Sequence, residues 1–202
     1  MSKIGILAYG SLIWDPRCEI EDAILRIQCG VLTPFHVEFA RSSSTRGGAP
    51  TLVPVVKDGA HVEAVILILK EQVSLEEAKN MLWRRETDQV CSGKSYEHCS
   101  NPGSDTVCIK ELNHFNNIET VIYTSLEPDI ANRTPRELAE LAIASVCSTK
   151  KEKDRDGITY LIKAKHYGIE TPKMKKYEEE IKSLTGTESL EDALSAVKNS
   201  CP

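Results

Sequence analysis

The chain has 202 residues, 41% hydrophobic and 27% charged, enough apolar material for one substantial core without disulfide support. Its formal net charge of −5, with lysines scattered apart from Lys173-Met174-Lys175-Lys176, gives no long-range attraction to a phosphate backbone, so no nucleic-acid partner is expected. The longest apolar run, Ala64 to Leu69, falls far short of the roughly 20 residues of a spanning helix, and no cationic segment with an apolar stretch opens the sequence; a soluble, cytoplasmic protein with no membrane partner is expected.

Ile4 to Ala8 is a continuous apolar run and reads as a short buried strand. It ends in Tyr9-Gly10-Ser11-Leu12, a glycine between a phenol and a hydroxyl, and then resumes as Ile13-Trp14, so the turn itself reads as buried. Ile20, Ala23, Ile24 and Ile27 recur at helical spacing with Gly30 as the stop, which predicts a strand-turn-helix opening. Phe35, Val37 and Phe39 alternate as a half-buried strand does. Beyond the serine- and glycine-rich loop from Ser42 to Pro50, Thr51–Val56 and His61–Leu69 read as strands joined into a hairpin by Lys57-Asp58-Gly59-Ala60.

Ser74-Leu75-Glu76-Glu77 and Thr134-Pro135-Arg136-Glu137 are capping boxes that mark two helix starts, the second with proline where its missing N–H does no harm. Between them, Thr87 to Asp105 is a loop of about 19 residues with few apolar side chains, long enough to suggest a lid or mobile segment. Strands are predicted at Thr106–Leu112 and Ile118–Thr124. After Gly157 the chain reads as helical, with Pro172 opening one helix and Thr187 or Ser189 another. The expectation is a single α+β domain over residues 1–202, helical from about 157, whose mostly antiparallel or mixed sheet forms a closed or nearly closed barrel with helices around it.

Seven cysteines, Cys18, Cys29, Cys91, Cys99, Cys108, Cys147 and Cys201, are odd in number and irregularly spaced, so reduced thiols are expected. Cys91, His98, Cys99 and Cys108 cluster in sequence but lack the paired two-residue gaps of structural zinc sites, and no metal is expected. No cysteine opens a helix after a glycine-rich turn as an activated nucleophile often does. Tyr123, and Arg41 and Arg46 beside the serine-rich loop, carry groups that a pocket could use, yet a packed aromatic and solubilising arginines account for them equally well.

Along the helix opened by Ser74, at about 100° per residue, Leu75, Ala78 and Leu82 form one stripe whose next member is Glu86. Arg84 points to the opposite face and Arg85 lies about 100° from Glu86, so neither is its natural intrahelical partner. Two readings stand: the helix ends near residue 84 and Glu86 faces water, or it is a sheltered carboxylate suited to proton abstraction. The turn at Tyr9–Leu12 likewise reads as a tight connection, or as a small concavity of backbone N–H groups for an anion or a developing oxyanion.

Tyr9-Gly10-Ser11-Leu12 after the first strand, Phe39-Ala40-Arg41-Ser42 with Arg46-Gly47-Gly48-Ala49-Pro50, and Glu86 after an amphipathic helix together resemble the γ-glutamylcyclotransferase-like family, which includes the ChaC-type and AIG2-like proteins. The resemblance runs from about residue 4 to the Gly157–Leu161 region. It implies a small mixed β-barrel flanked by helices and cyclisation of a small γ-glutamyl substrate to 5-oxoproline, with release of an amine or amino acid and without metal or cofactor. Glu86 would be the acid/base, and Tyr9, Gly10, Ser11 and Leu12 the loop that holds the γ-glutamyl group. An exposed carboxylate is about 5 kcal/mol too weak a base for an α-ammonium, so such chemistry asks for shelter. In the glutathione-specific branch a glycine-aromatic pair follows the glutamate closely; here Thr87-Asp88-Gln89-Val90 follows, with Gly93 and Tyr96 beyond, which leaves the leaving group open. A non-catalytic module that binds a small ligand on the same fold is the competing class.

Overall fold

The run Ile4–Ala8 is buried at every position and forms β1 (Ile4–Ala8) in the computed structural model, which describes residues 3–98, 103, 105–150 and 155–201. After it come a 3₁₀ turn (Gly10–Ile13), α1 (Cys18–Ala23), β2 (Ile24–Leu32), β3 (His36–Ser43), a second 3₁₀ turn (Ser44–Arg46), β4 (Ala49–Val55), β5 (Glu63–Leu69) and α2 (Leu75–Glu86). The remainder is β6 (Cys108–Phe115), β7 (Ile118–Ser125), α3 (Pro135–Val146), α4 (Gly157–His166), α5 (Met174–Thr185) and α6 (Leu190–Ser200). The fold is α+β, and the chain separates into two compact units, Met1–Thr33 with Glu63–Leu126 and Pro34–Val62 with Glu127–Pro202.

The first unit holds a five-stranded sheet in the order β2-β5-β1-β7-β6. β1 is antiparallel to β5, with Gly5 opposite Ile68, and parallel to β7, with Ile6 opposite Ile122, so the sheet is mixed. Its central position explains the unbroken apolar run, because a strand flanked on both sides and covered on both faces has no polar side. Gly5 is required by packing: a Cβ there would come within 2.5 Å of Ile66 Cγ2. Ala78, Met81 and Leu82 of α2 close the core over Ile6, Ala8, Leu67 and Ile122.

Four expectations are corrected here. The opening helix stops at Ala23; Ile24 and Ile27 belong to β2, where branched side chains pair with Leu69 and Leu67 of β5. Gly30, φ +70°, sits at a register shift between Gln28 and Val31, so it makes a bulge and not a helix stop. β4 and β5 form no hairpin: β4 pairs with β3, and β5 with β1 and β2. The Lys57–Ala60 turn instead returns the chain to β3, where Val37 and Ala60 exchange backbone hydrogen bonds of 2.8 and 3.2 Å. No closed barrel forms among the described residues, since the five-stranded sheet ends at β2 and β6 and β3–β4 is a separate ribbon.

In the second unit, α3 and α4 pack on β4, and Gly157 lets α4 approach α3 so closely that a Cβ would meet Ala142 Cα at 2.7 Å. Phe39 of β3 meets the rings of Tyr160 and Tyr177 edge-on at centroid distances of 6.0 and 5.3 Å. The hydroxyls of Ser74, Thr134 and Ser189 cap their helices by accepting the N–H of Glu77, Glu137 and Asp192 at 3.1, 3.2 and 3.0 Å, while the Glu77 carboxylate turns to Asn80 and Arg84 and not back to its cap, and Ser189 is the start taken of the two expected there. The helix expected from Pro172 begins at Met174. One bridge corrects the all-reduced expectation: Cys147 at the end of α3 is disulfide-bonded to Cys201 beyond α6, a closure that spacing along the chain does not reveal.

Candidate functional site

The site is built where β1 leaves the sheet. Gly10 is buried with φ +68°, a left-handed conformation that glycine takes without a Cβ penalty, and it starts the 3₁₀ turn directly after an extended Tyr9. The Tyr9 hydroxyl donates to the backbone carbonyl of Thr124 at 2.6 Å, tying the turn to β7. The Leu12 side chain is buried in the core beside Leu82 and Ile122. Ser11 uses its carbonyl to accept the N–H groups of Trp14 and Asp15, at 3.3 and 2.9 Å. The leading N–H groups of a helical turn have no partner inside it, and no side-chain cap from Tyr9 covers those of Gly10 and Ser11.

The second part is the last turn of α2. The helix runs through Glu86, and Thr87 closes it by donating both its N–H, at 3.0 Å, and its hydroxyl, at 2.8 Å, to the Trp83 carbonyl. Ala78 and Leu82 are fully buried, and Glu86 continues their stripe with a side chain 17% exposed. The reading in which the helix stops near residue 84 and leaves Glu86 in water is therefore set aside.

Arg85 overturns the expectation that Glu86 lacks a local partner. Its Nη1 donates to Glu86 Oε1 at 2.7 Å, its Nη2 to Ser11 Oγ at 3.2 Å, and its Nε and Nη2 to the Asp15 carbonyl at 3.1 and 2.7 Å. Adjacent helical residues do not face each other. The pair forms because the Asp15 carbonyl fixes the guanidinium outside the helix, where a side chain from the terminal turn can reach it. Helical angles alone carried no sign of this anchor; the tandem Arg84-Arg85 at a helix end was the available signal, since two long donors about 100° apart serve two different neighbours. Among the described residues, Oε2 of Glu86 accepts no hydrogen bond.

Arg84 serves the other side. It is buried and contacts Glu19 at 3.0 Å, Glu77 at 2.6 Å and the Lys94 carbonyl at 2.9 Å. Glu77 thus turns to Arg84 in addition to capping through its N–H. Asn80 Oδ1 accepts the Tyr96 N–H at 2.8 Å, and the Tyr96 hydroxyl accepts the Ile109 N–H at 3.3 Å. The first stretch of the long loop, 87–98, is thereby pinned to α2 and β6. Four of its later residues, 99–102, and residue 104 lie outside the described residues, Cys99 among them, and no group of three His, Cys, Asp or Glu among the described residues gathers as a metal would require.

Tyr123 stands on β7 beside Thr124, and partial burial pushes its phenol above the ordinary value. Arg41 and Arg46 belong to the second unit: Arg41 donates to the Glu127 carbonyl at 2.8 Å, and Arg46 lies 4.9 Å from the centre of the Tyr160 ring.

Part of the chain is similar to a known enzyme. The glutathione-specific gamma-glutamylcyclotransferase of Escherichia coli (strain K12) is 32% identical over 91 residues, which cover 44% of this chain and 37% of that protein. No family model matches the chain. Among the described residues, no helix is long and apolar enough to cross a membrane.

Proposed function

We propose that the protein is a γ-glutamylcyclotransferase that closes a γ-glutamyl compound to 5-oxoproline and releases an amine or amino acid. The observation that carries this reading is the Arg85 guanidinium, which touches both the Ser11 hydroxyl and the Glu86 carboxylate and so brings the turn and the acid/base into one place. The partial identity to a glutathione-specific relative points to the same chemistry. Glu86 is the general acid/base, and the Tyr9-Gly10-Ser11-Leu12 turn holds the γ-glutamyl group.

With Oε1 held by Arg85, Oε2 is the oxygen that takes a proton from the substrate's α-ammonium. The freed amine attacks the γ-carbonyl carbon of the same molecule, so a ring C–N bond forms and the oxygen becomes anionic. The N–H groups of Gly10 and Ser11 stabilise that oxygen. Glu86 then returns its proton to the departing nitrogen as the original γ-amide C–N bond breaks, and the carboxylate so regenerated takes the second proton of the ring nitrogen and passes it to the released amine. Both reacting groups belong to one substrate, so holding the γ-glutamyl arm folded supplies proximity. The leaving group is the cysteinyl-glycine part of glutathione, an amino acid or an amine.

The test is a panel of glutathione, γ-glutamyl dipeptides and γ-glutamyl amines, with 5-oxoproline as the readout. Turnover of at least one member, lost in Glu86→Gln, is expected; wild-type turnover by Glu86→Gln would remove the mechanism. The Arg85–Glu86 ion pair favours a second reading, because a paired carboxylate has a structural use that an unpaired one lacks. On that reading the site binds a small γ-glutamyl ligand without converting it, and saturable binding with no 5-oxoproline from any member of the panel would select it.

A further inference from the structure

Cys18 and Cys91 are 73 positions apart in the chain, yet their sulfurs lie 3.7 Å apart and both residues are exposed. Cys18 opens α1 just beyond Asp15, the residue whose carbonyl anchors Arg85, and Cys91 follows Glu86 in the segment that leaves α2. Neighbouring contacts hold the two stretches together. Arg17 Nη2 reaches Asp88 Oδ1 at 3.4 Å, and Arg84 links Glu19, at 3.0 Å, to the Lys94 carbonyl, at 2.9 Å. Cys91 itself has φ +61°, a backbone conformation that residues with a Cβ rarely take, within a turn closed by the Ser92 N–H on the Gln89 carbonyl at 3.0 Å.

We propose that Cys18 and Cys91 are a redox pair that forms a reversible disulfide by exchange with a low-molecular-weight disulfide, stapling the segment after Glu86 to the segment after the Gly10–Ile13 turn. In the first step one thiolate attacks a sulfur of the small disulfide, a protein–S–S–R bond forms and RS⁻ leaves. In the second, the other thiol loses its proton and attacks the protein sulfur of that mixed disulfide, expelling the second RS⁻. Two protein thiols are oxidised and one small disulfide is reduced to two thiols. The hydrogen bond to Cys18, with its charge and that of Glu19, pushes the Cys91 thiol up. Cys29 is also exposed but has no sulfur within hydrogen-bond distance among the described residues, so it takes a mixed disulfide and cannot close a ring.

The experiment treats the reduced full-length protein with limiting glutathione disulfide, quenches with acid, blocks the remaining thiols and maps the peptides without reduction. A Cys18–Cys91 cross-linked peptide is expected in about tenfold excess over any cross-link from Cys29 or Cys108, and dithiothreitol should release it. Cys91→Ser should accumulate the glutathione adduct on Cys18. Recovery of Cys18 and Cys91 as two separate adducts, or as free thiols while Cys29 has reacted, overturns the proposal, and the wild-type map decides this without any variant or activity assay.

Discussion

Arg85 and Ser11, 74 positions apart in the chain, meet at 3.2 Å, and the same guanidinium holds the Glu86 carboxylate at 2.7 Å. Arg85→Ala removes the donor that sets Glu86 against the turn, so on the proposed function 5-oxoproline formation should fall by about 10²-fold, the usual effect of misplacing a reacting group by an ångström. The Asp15 carbonyl also loses its two donated bonds, and urea denaturation should register a loss of about 1–3 kcal/mol. Arg85→Lys should rescue little of either, since an ammonium is a point donor and cannot span three acceptors in the guanidinium's fork. A variant with wild-type kcat would show that the clasp has no part in the chemistry.

Leu82→Ala tests whether the stripe that leads to Glu86 is core. Leu82 is fully buried among Ile6, Leu67 and Ile122, so the truncation leaves a cavity and should cost about 2–5 kcal/mol in urea denaturation. A cost under about 1 kcal/mol would mean that α2 does not close the core as described.

How much of this was legible in the sequence follows from which features are local. The capping serines and threonine, the apolar β1 and the Leu75–Ala78–Leu82 stripe depend on neighbours within a few residues, and each stands where periodicity and cap chemistry put it. What failed was decided elsewhere in the chain. Ile24 and Ile27 fit a helix by spacing, but Leu69 and Leu67 of β5 recruit them into a strand. The Lys57–Ala60 turn is a turn, yet β4 takes β3 as its partner because a turn signal does not name the strand that follows it. Glu86 and the Tyr9–Leu12 turn each stood out as a candidate alone; the link between them runs through a guanidinium anchored on the Asp15 carbonyl, and a backbone acceptor leaves no trace in residue identities.

The Cys147–Cys201 bridge, with a sequence separation of 54, ties α3 to the residue after α6. Closing a loop of that length restricts the unfolded chain by about 4 kcal/mol on a chain-entropy account. Adding dithiothreitol should therefore lower the urea midpoint of the wild type, and Cys147→Ser should match the reduced wild type and ignore the reductant. A midpoint that reductant leaves unmoved in the wild type would mean that the bridge contributes nothing to stability.

Glu38 gives a pH dependence with a definite sign. The side chain is fully buried on β3, where Oε1 accepts the Phe39 N–H at 2.8 Å and the Thr171 hydroxyl at 2.6 Å, and Oε2 accepts the Lys173 N–H at 3.1 Å. Burial penalises the ionised form more than these donors and the Lys173 charge favour it, and the carboxyl is held above its ordinary 4.5. The folded state then keeps its proton to higher pH than the unfolded chain does. Stability must fall as pH rises from the ordinary value through the raised one, with a slope of up to about 1.4 kcal/mol per pH unit, and level off above it. Glu38→Gln has no proton to lose and lacks that decline, whatever its offset from rearranged donors. Urea denaturation from about pH 4 to pH 7 should show the variant gaining on the wild type as pH rises. Parallel profiles across that range would mean that the carboxyl enters the folded state at no cost in proton affinity, and that the donors around it offset its burial in full.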